Sequence, residues 1–196
     1  LKIIYQLTGK IMTDLKLTKR FFDEKAEIWD SQDYMVKEKR LSDIFQTKIP
    51  GFHPPVLDMG SGTGIMVPVL EHVLPPVRQI IELDIARSML LKARSKFGLK
   101  KYIGYLQSDA HYLPFKDDTF GSVICFAVFP HLYNHIRAIG EFKRILKDRG
   151  LLVILHLMGH RELNAMHKDA GSVVGRHALQ PAEIVARQLS DQFFNI

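Results

Sequence analysis

The sequence predicts an α/β protein, a Rossmann-like, doubly wound and mostly parallel sheet behind an N-terminal helical cap. Three observations predict it. From Val56 onward, short β-rich runs alternate with helical stretches, the order of a parallel sheet with helices on both faces. The runs are apolar almost throughout, as strands covered on both sides are. The first run passes directly into the turn Gly60-Ser61-Gly62-Thr63-Gly64, with a helical stretch behind it.

Taken in order, residues 1–50 form the cap and 51–196 the sheet-bearing domain. Two helices are expected within 18–48. Phe21, Phe22, Ala26 and Trp29 recur at helical spacing, as do Met35, Leu41 and Ile44. Pro50-Gly51 and Pro54-Pro55 close that region. Strand 56–59 and helix 64–73 follow, then strand 78–83, helix 86–97 and strand 102–107. Strand 122–129, helix 135–147 and strand 151–157 complete the pattern, with Gly150 standing where a helix stop belongs.

The chain has 196 residues, enough for one domain with a substantial core. An apolar fraction of 46% and a charged fraction of 24% are those of an ordinary globular protein. No apolar stretch reaches bilayer-spanning length, and residues 1–15 lack the pattern of a signal peptide. The chain begins with Leu rather than Met, which points to a start upstream or a partial sequence. A lone cysteine, Cys125, excludes an internal disulfide and any multi-cysteine zinc site; within an apolar run it reads as a small core residue. A cytoplasmic setting is expected. The net charge of +6 gathers around Lys16-Lys19-Arg20, Lys37-Lys39-Arg40 and Arg94-Lys96-Lys100-Lys101. Interleaved acids such as Asp23, Glu24 and Glu38 make these solvated helix faces rather than a nucleic-acid surface.

The glycine turn carries the functional argument. Glycines at alternate positions, at the carboxyl end of the first strand, lie where open α/β sheets bind nucleotides. Asp84 closes the second strand about 20 residues later, the place from which a carboxylate accepts from ribose hydroxyls. Glu82 is close by in sequence, but Asp84 is the last residue before the helix that starts near Ala86. The structural alternative for Asp84 is an N-cap on that helix. These features alone also suit an NAD-dependent dehydrogenase.

The ordered motifs narrow the choice. Residues 56–64, Leu83-Asp84-Ile85-Ala86-Arg87-Ser88-Met89-Leu90 and Ser108-Asp109-Ala110 with Leu113-Pro114-Phe115 resemble successive motifs of the class I methyltransferases that use S-adenosylmethionine (SAM). The string 141–147 with 150–154 is similar to the fourth helix and fifth strand of the ubiquinone/menaquinone-biosynthesis branch. The resemblance covers about residues 54–158. It implies SAM as cofactor and S-adenosylhomocysteine as product. It implies that Gly60, Gly62 and Gly64, with Ser61 between them, pass close to the methionine part and ribose, and that Asp58 orients the loop or reaches the amino group through water. It further implies Asp84 at the ribose, Ile85 on adenine, Asp109 at the adenine amino group with Ala110 beside it, and Phe126 and Ala127 near the methionine end.

Two departures stand out. Relatives carry an acid where Gly121 stands, and its loss is expected to weaken the entry to the fourth strand. Relatives also have two strands after the fifth. Here the remaining residues read mostly as loop and helix, with 193–196 as the start of a sixth strand, so the C-terminal strands look truncated. The fifth strand is then an open edge suited to pairing in a homodimer.

Methyl transfer is an in-line displacement at a sulfonium carbon, so the protein mainly positions the reactants and excludes water. The candidate catalytic residues follow the fourth and fifth strands: His131 as base or substrate contact, Tyr133 in the same loop, and His156. His160 and His167 share a face if 159–168 is helical, and with His156 or His131 would offer imidazoles to a metal. Without an HExxH string or a cysteine cluster, no metal is assigned. The sequence 125–130 lacks the amide or acid with which nucleic-acid amino methyltransferases meet a base, so nucleic acid is not the expected acceptor. The expected partner is a small, partly hydrophobic molecule covered by the aromatics of the cap, Phe21, Phe22, Trp29 and Tyr34.

Overall fold

The computed structural model describes residues 2–30, 33–49, 51–75, 79–169, 173–192 and 194–195, with side chains from residue 14 onward. Its centre is one parallel sheet in the order β3-β2-β1-β4-β5. The strands are β1 (Val56–Met59), β2 (Ile80–Asp84), β3 (Ile103–Gln107), β4 (Phe120–Phe126) and β5 (Leu146–Leu155). The helices are α1 (Lys2–Lys25), α2 (Tyr34–Thr47), α3 (Met66–Val73), α4 (Arg87–Phe97), α5 (His135–Ile145), α6 (His160–Asp169) and α7 (Ala182–Ser190). No helix among the described residues is long and apolar enough to cross a membrane.

Side-chain alternation along the strands builds a core on each face of the sheet. Leu57, Leu83, Val123 and Cys125 pack with Ala138, Phe142 and Ile145 of α5. Val56, Ile80, Ile124 and Val153 pack with Met66, Val69 and Leu70 of α3 and with Leu41 and Phe45 of α2. Each such large side chain removed from water contributes about 1.5–3 kcal/mol before entropy is counted. Helix α2 therefore belongs to the layer covering the sheet. The cover over the carboxyl ends is α1 and the 3-10 turn Ala26–Ile28, where Phe22 and Ala26 pack on Ala86 and Met89.

The elements fall where the alternation places them, with shifts at the ends. Strand β4 stops at Phe126 rather than 129, because Ala127 turns to φ +58° and Phe129–His131 coils into a 3-10 turn around Pro130. Helix α5 stops at Ile145, and β5 begins at Leu146 and ends at Leu155. Phe120 pairs with Leu146, and the register shifts before Ser122 meets Leu151, so the segment around Gly150 is an irregularity within the strand. Strand β2 starts at Ile80; Arg78, the expected first residue, lies outside the described residues. Of the expected sixth strand, Phe193 and Ile196 lie outside them too. Phe194 packs with Ile139 and Val185 and is not in a strand. Among the described residues β5 is one edge of the sheet and β3 the other.

Gly121 does not weaken β4. A Cβ there would stand 2.3 Å from the His53 carbonyl oxygen, so the close approach of segment 52–55 requires glycine. Gly121 N–H donates to the Pro55 carbonyl at 2.9 Å, and Ser122 Oγ accepts from His53 N–H at 3.0 Å. In α5, Glu141 accepts from Leu113 N–H at 2.7 Å, while Arg144 donates to the carbonyls of Leu113 and Phe115. That pair fastens the loop after β3 to the helix before β5.

Candidate functional site

The glycine turn is held by the end of β2. Gly60 and Ser61 both donate to the Leu83 carbonyl, at 2.7 and 3.0 Å. Gly62 donates to one oxygen of Asp84 at 2.9 Å, and the other accepts from Ala86 N–H at 2.8 Å. Asp84 is therefore not the N-cap of α4, whose cap position is Ala86. Gly60, Gly62 and Gly64 have φ of +68°, +55° and +82°. At Gly60 the requirement is steric as well, since a Cβ would stand 2.2 Å from Val128 Cγ2. Val128, rather than Phe126, thus meets the loop from the β4 side; Phe126 packs in the α2–α3 face of the core. Ala110 is likewise buried, packing near Leu57 and Met59. Ile85 accepts from Gln107 Nε2 through its carbonyl at 2.9 Å.

Three buried carboxyl groups gather at this turn. Asp58 and Glu82 are direct neighbours across the β1–β2 ladder, and Asp84 ends β2. Burial, then the charge of Asp84, pushes Asp58 up to about 8. Burial and the adjacent Asp58 raise Glu82 well above the carboxylate range. Burial lifts Asp84 to about 6, against the backbone donors of Ala86, Gly62 and Ile85 that favour its charged form. Asp58 Oδ2, Ser61 Oγ and both oxygens of Glu82 are buried without a hydrogen-bond partner, which marks polar capacity the protein itself does not use.

Beside them, Asp109 follows β3. It accepts from the backbone and ring of His111, and from Tyr133 Oη at 3.2 Å. Burial alone would raise its pKa, but those hydrogen bonds and the facing imidazole hold it below the ordinary value. His111 Nε2 accepts from Asn134 N–H at 3.2 Å, so its proton lies on Nδ1, facing Asp109. Tyr133 stacks on His111 with centroids 3.6 Å apart, and burial followed by Asp109 pushes its phenol up to about 12. Tyr133 therefore stands with Asp109 through its hydroxyl, and it also lines the cavity shared with His177.

Histidines gather past β4 and β5. His131 Nδ1 lies 2.9 Å from His177 Nδ1, so one ring donates and the other accepts. His131 and His167 rings are 5.1 Å apart, and His167 Nδ1 pairs with the His177 carbonyl. Burial, then His177, His167 and His156 in turn, brings His131 down to about 3. Burial and His167 bring His156 down to about 4, and its Nε2 is buried without a partner. His160 is not one of this group, and no metal-holding set of three is found among the described residues. Next to the histidines is a cavity of about 350 Å³, lined by Leu17, Pro130, Leu132, Tyr133, Val173 and His177 among others.

Four cations of the basic patches are paired: Lys19 with Asp23, Arg20 with Glu24, Lys96 with Asp30 and Lys100 with Glu71. Cys125 is buried, and burial pushes its thiol up, away from nucleophilic use. Sequence reasoning missed His111 and His177, and it set Glu82 aside in favour of Asp84. The Asp109-x-His111 spacing at a strand end was a visible signal for the first. Nothing in the loop around His177 signals its partner in His131.

The profile of a family described as methyltransferase domain matches residues 57–154. The ubiquinone/menaquinone biosynthesis C-methyltransferase UbiE of Saccharophagus degradans is 35% identical over 103 residues, 51% of this chain and 41% of that protein. The demethylmenaquinone methyltransferase of Thermotoga maritima is 30% identical over 146 residues, 71% of this chain and 61% of that one. The matches thus span less than two thirds of either relative. A solved SAM-dependent methyltransferase from Thermotoga maritima superposes with a TM-score of 0.70 at 19% identity, covering 93% of this chain and 82% of that one, a likeness of fold.

Proposed function

Because the chain belongs to the methyltransferase-domain family, we propose that it transfers a methyl group from S-adenosylmethionine to a small, partly apolar acceptor. One observation carries the reading: Asp58, Glu82 and Asp84 surround a glycine turn whose leading N–H groups are already engaged by β2. A carboxyl-rich rim suits a ligand that brings an ammonium group and hydroxyl donors. A dinucleotide needs the reverse, free N–H groups turned toward a pyrophosphate. The unpartnered Asp58 Oδ2 and Ser61 Oγ fit a ligand rich in donors.

In this reading Asp84 accepts from the ribose hydroxyls, and Gly60, Ser61, Gly62 and Gly64 line the methionine part. Asp58 receives the amino group, Ile85 packs on adenine, and Asp109, with Ala110 behind it, accepts from the adenine amine. Val128, rather than Phe126, forms the wall on the β4 side. The bound cofactor supplies an electrophilic methyl carbon. Tyr133 positions Asp109 through its hydroxyl. The acceptor enters by the cavity beside His177, whose mixed lining of Leu17, Pro130 and Leu132 beside Asp14, Tyr133 and Arg176 suits a small organic molecule with both apolar and polar parts.

The histidines handle the acceptor's proton. As the new bond forms, His131 Nε2 takes that proton, its Nδ1–H passes to His177 Nδ1, and His177 releases a proton into the cavity. Depressed basicity makes the cluster a conduit rather than a store. His156 offers its unpartnered Nε2 as a further hydrogen bond to the acceptor. Incubation with methyl-labelled SAM and a panel of phenols, quinols, thiols and amines tests this. One acceptor class should yield labelled product and S-adenosylhomocysteine in equal amounts. His131→Ala should lower kcat about 100-fold while cofactor affinity holds. Absence of transfer to any acceptor by protein that binds SAM would overturn the proposal.

A further inference from the structure

The only tryptophan of the chain, Trp29, ends the 3-10 turn that follows α1 and is 45% exposed, an unusual place for a large indole. Its position is fixed from several sides. Asp30, next in sequence, accepts from Thr63 Oγ1 in the glycine turn and from Lys96 of α4 at 3.0 Å. Glu27 pairs with Lys92 at 2.7 Å, and Asp23 accepts from Ser88 N–H at the start of α4 at 2.8 Å. These ties fasten segment 23–30 across the carboxyl ends of β1 and β2.

The N–H edge of the indole reaches the glycine turn that they cover. Trp29 Nε1 lies 3.7 Å from where a Cβ of Gly62 would be. Phe22 meets Trp29 edge-on at 5.5 Å and His131 at 5.1 Å. Trp29 and Phe22 therefore make an aromatic wall from the glycine turn to the first histidine past β4. On the proposed function, that wall runs from the cofactor's methionine end toward the acceptor.

We propose that Trp29 is a cofactor-recognising residue, its ring face, braced by Phe22, selecting the positive sulfonium of SAM over the neutral thioether of the product. A sulfonium has neither an N–H to donate nor a free charge-bearing atom for a carboxylate to grip. An aromatic face attracts a cation without bringing a charge that must itself be desolvated. The same contact loses its electrostatic part once the sulfur is neutral, so Trp29 holds the reactant more tightly than the product and favours product release. This inference rests on the methyltransferase reading above.

Because SAM and S-adenosylhomocysteine differ only in the methyl and its charge, the ratio of their affinities isolates the sulfonium. Both are titrated into wild type, Trp29→Leu and Trp29→Phe, by calorimetry, with the emission of the single tryptophan followed in the wild type. Trp29 emission should change with each ligand. Trp29→Leu should weaken SAM roughly three- to thirtyfold more than S-adenosylhomocysteine, and Trp29→Phe should retain most of the wild-type ratio. Equal weakening of both ligands in Trp29→Leu, or no change in emission on saturation, overturns the inference and leaves the methyltransferase reading standing. If neither ligand binds a wild-type protein that melts cooperatively, both readings fall.

Discussion

Asp58 and Glu82 lie side by side in neighbouring strands, buried and partly unpartnered, and the folded protein holds them as acids where the unfolded chain does not. Their folded pKa values are raised, so the stability they lend is fully present below about pH 4, the unfolded value, and is lost as pH rises. The loss runs through about 6 for Asp84 and about 8 for Asp58. The histidines act on the other limb. Their folded values are depressed, so their contribution is present above about pH 6.5 and is lost as pH falls toward the folded values. Those are about 4 for His156 and about 3 for His131. The two windows overlap between about pH 4 and 6.5, where the contributions oppose each other. Above that only the carboxyl loss remains, so the melting temperature should fall from about pH 6.5 toward about pH 8. Glu82→Gln should flatten the alkaline limb and His156→Leu the acid one. A thermal scan from pH 4 to pH 9 checks both, and a profile unaltered by either substitution would contradict the account of these groups.

Strand β4 and the segment before β1 depend on one missing side chain. Gly121→Ala would force a Cβ against the His53 carbonyl at 2.3 Å, and the obstacle is backbone rather than a movable side chain. A loss of about 2–3 kcal/mol is expected in urea unfolding; a change within about 0.5 kcal/mol would show that segment 52–55 yields freely. Strand-by-strand order was legible in the sequence because each β run is apolar on both faces and each is punctuated by glycine, proline or a charged turn. Asp84 and the glycine turn were legible for the same reason: spacing along a strand–turn–helix unit is local. What the sequence did not display depends on contacts between distant segments. The His131–His177 pair joins residues 46 apart, and Asp23 reaches Ser88 across 65. The expected helix runs two residues past the end of α5 because Leu146-Lys147 carries a helical-looking composition, yet Leu146 pairs with Phe120. There a tertiary contact overrides local preference.

At the scale of the molecule, a parallel sheet presents its carboxyl edge to one groove, and α1 with the turn after it lies over that groove. Buried carboxyl groups gather at the glycine turn, imidazoles past β4 and β5, and the rings of Trp29 and Phe22 run between them; in the proposed reading these are the cofactor side and the acceptor side. Such an arrangement predicts a cationic nucleoside ligand rather than a dinucleotide. The most direct test is a calorimetric titration of S-adenosylhomocysteine, with NAD titrated in parallel, into wild type and Asp84→Ala. Micromolar binding of S-adenosylhomocysteine, weakened by about 1–3 kcal/mol in Asp84→Ala, with no heat from NAD, is the predicted result. Binding of NAD by the folded protein, with S-adenosylhomocysteine silent, would contradict it.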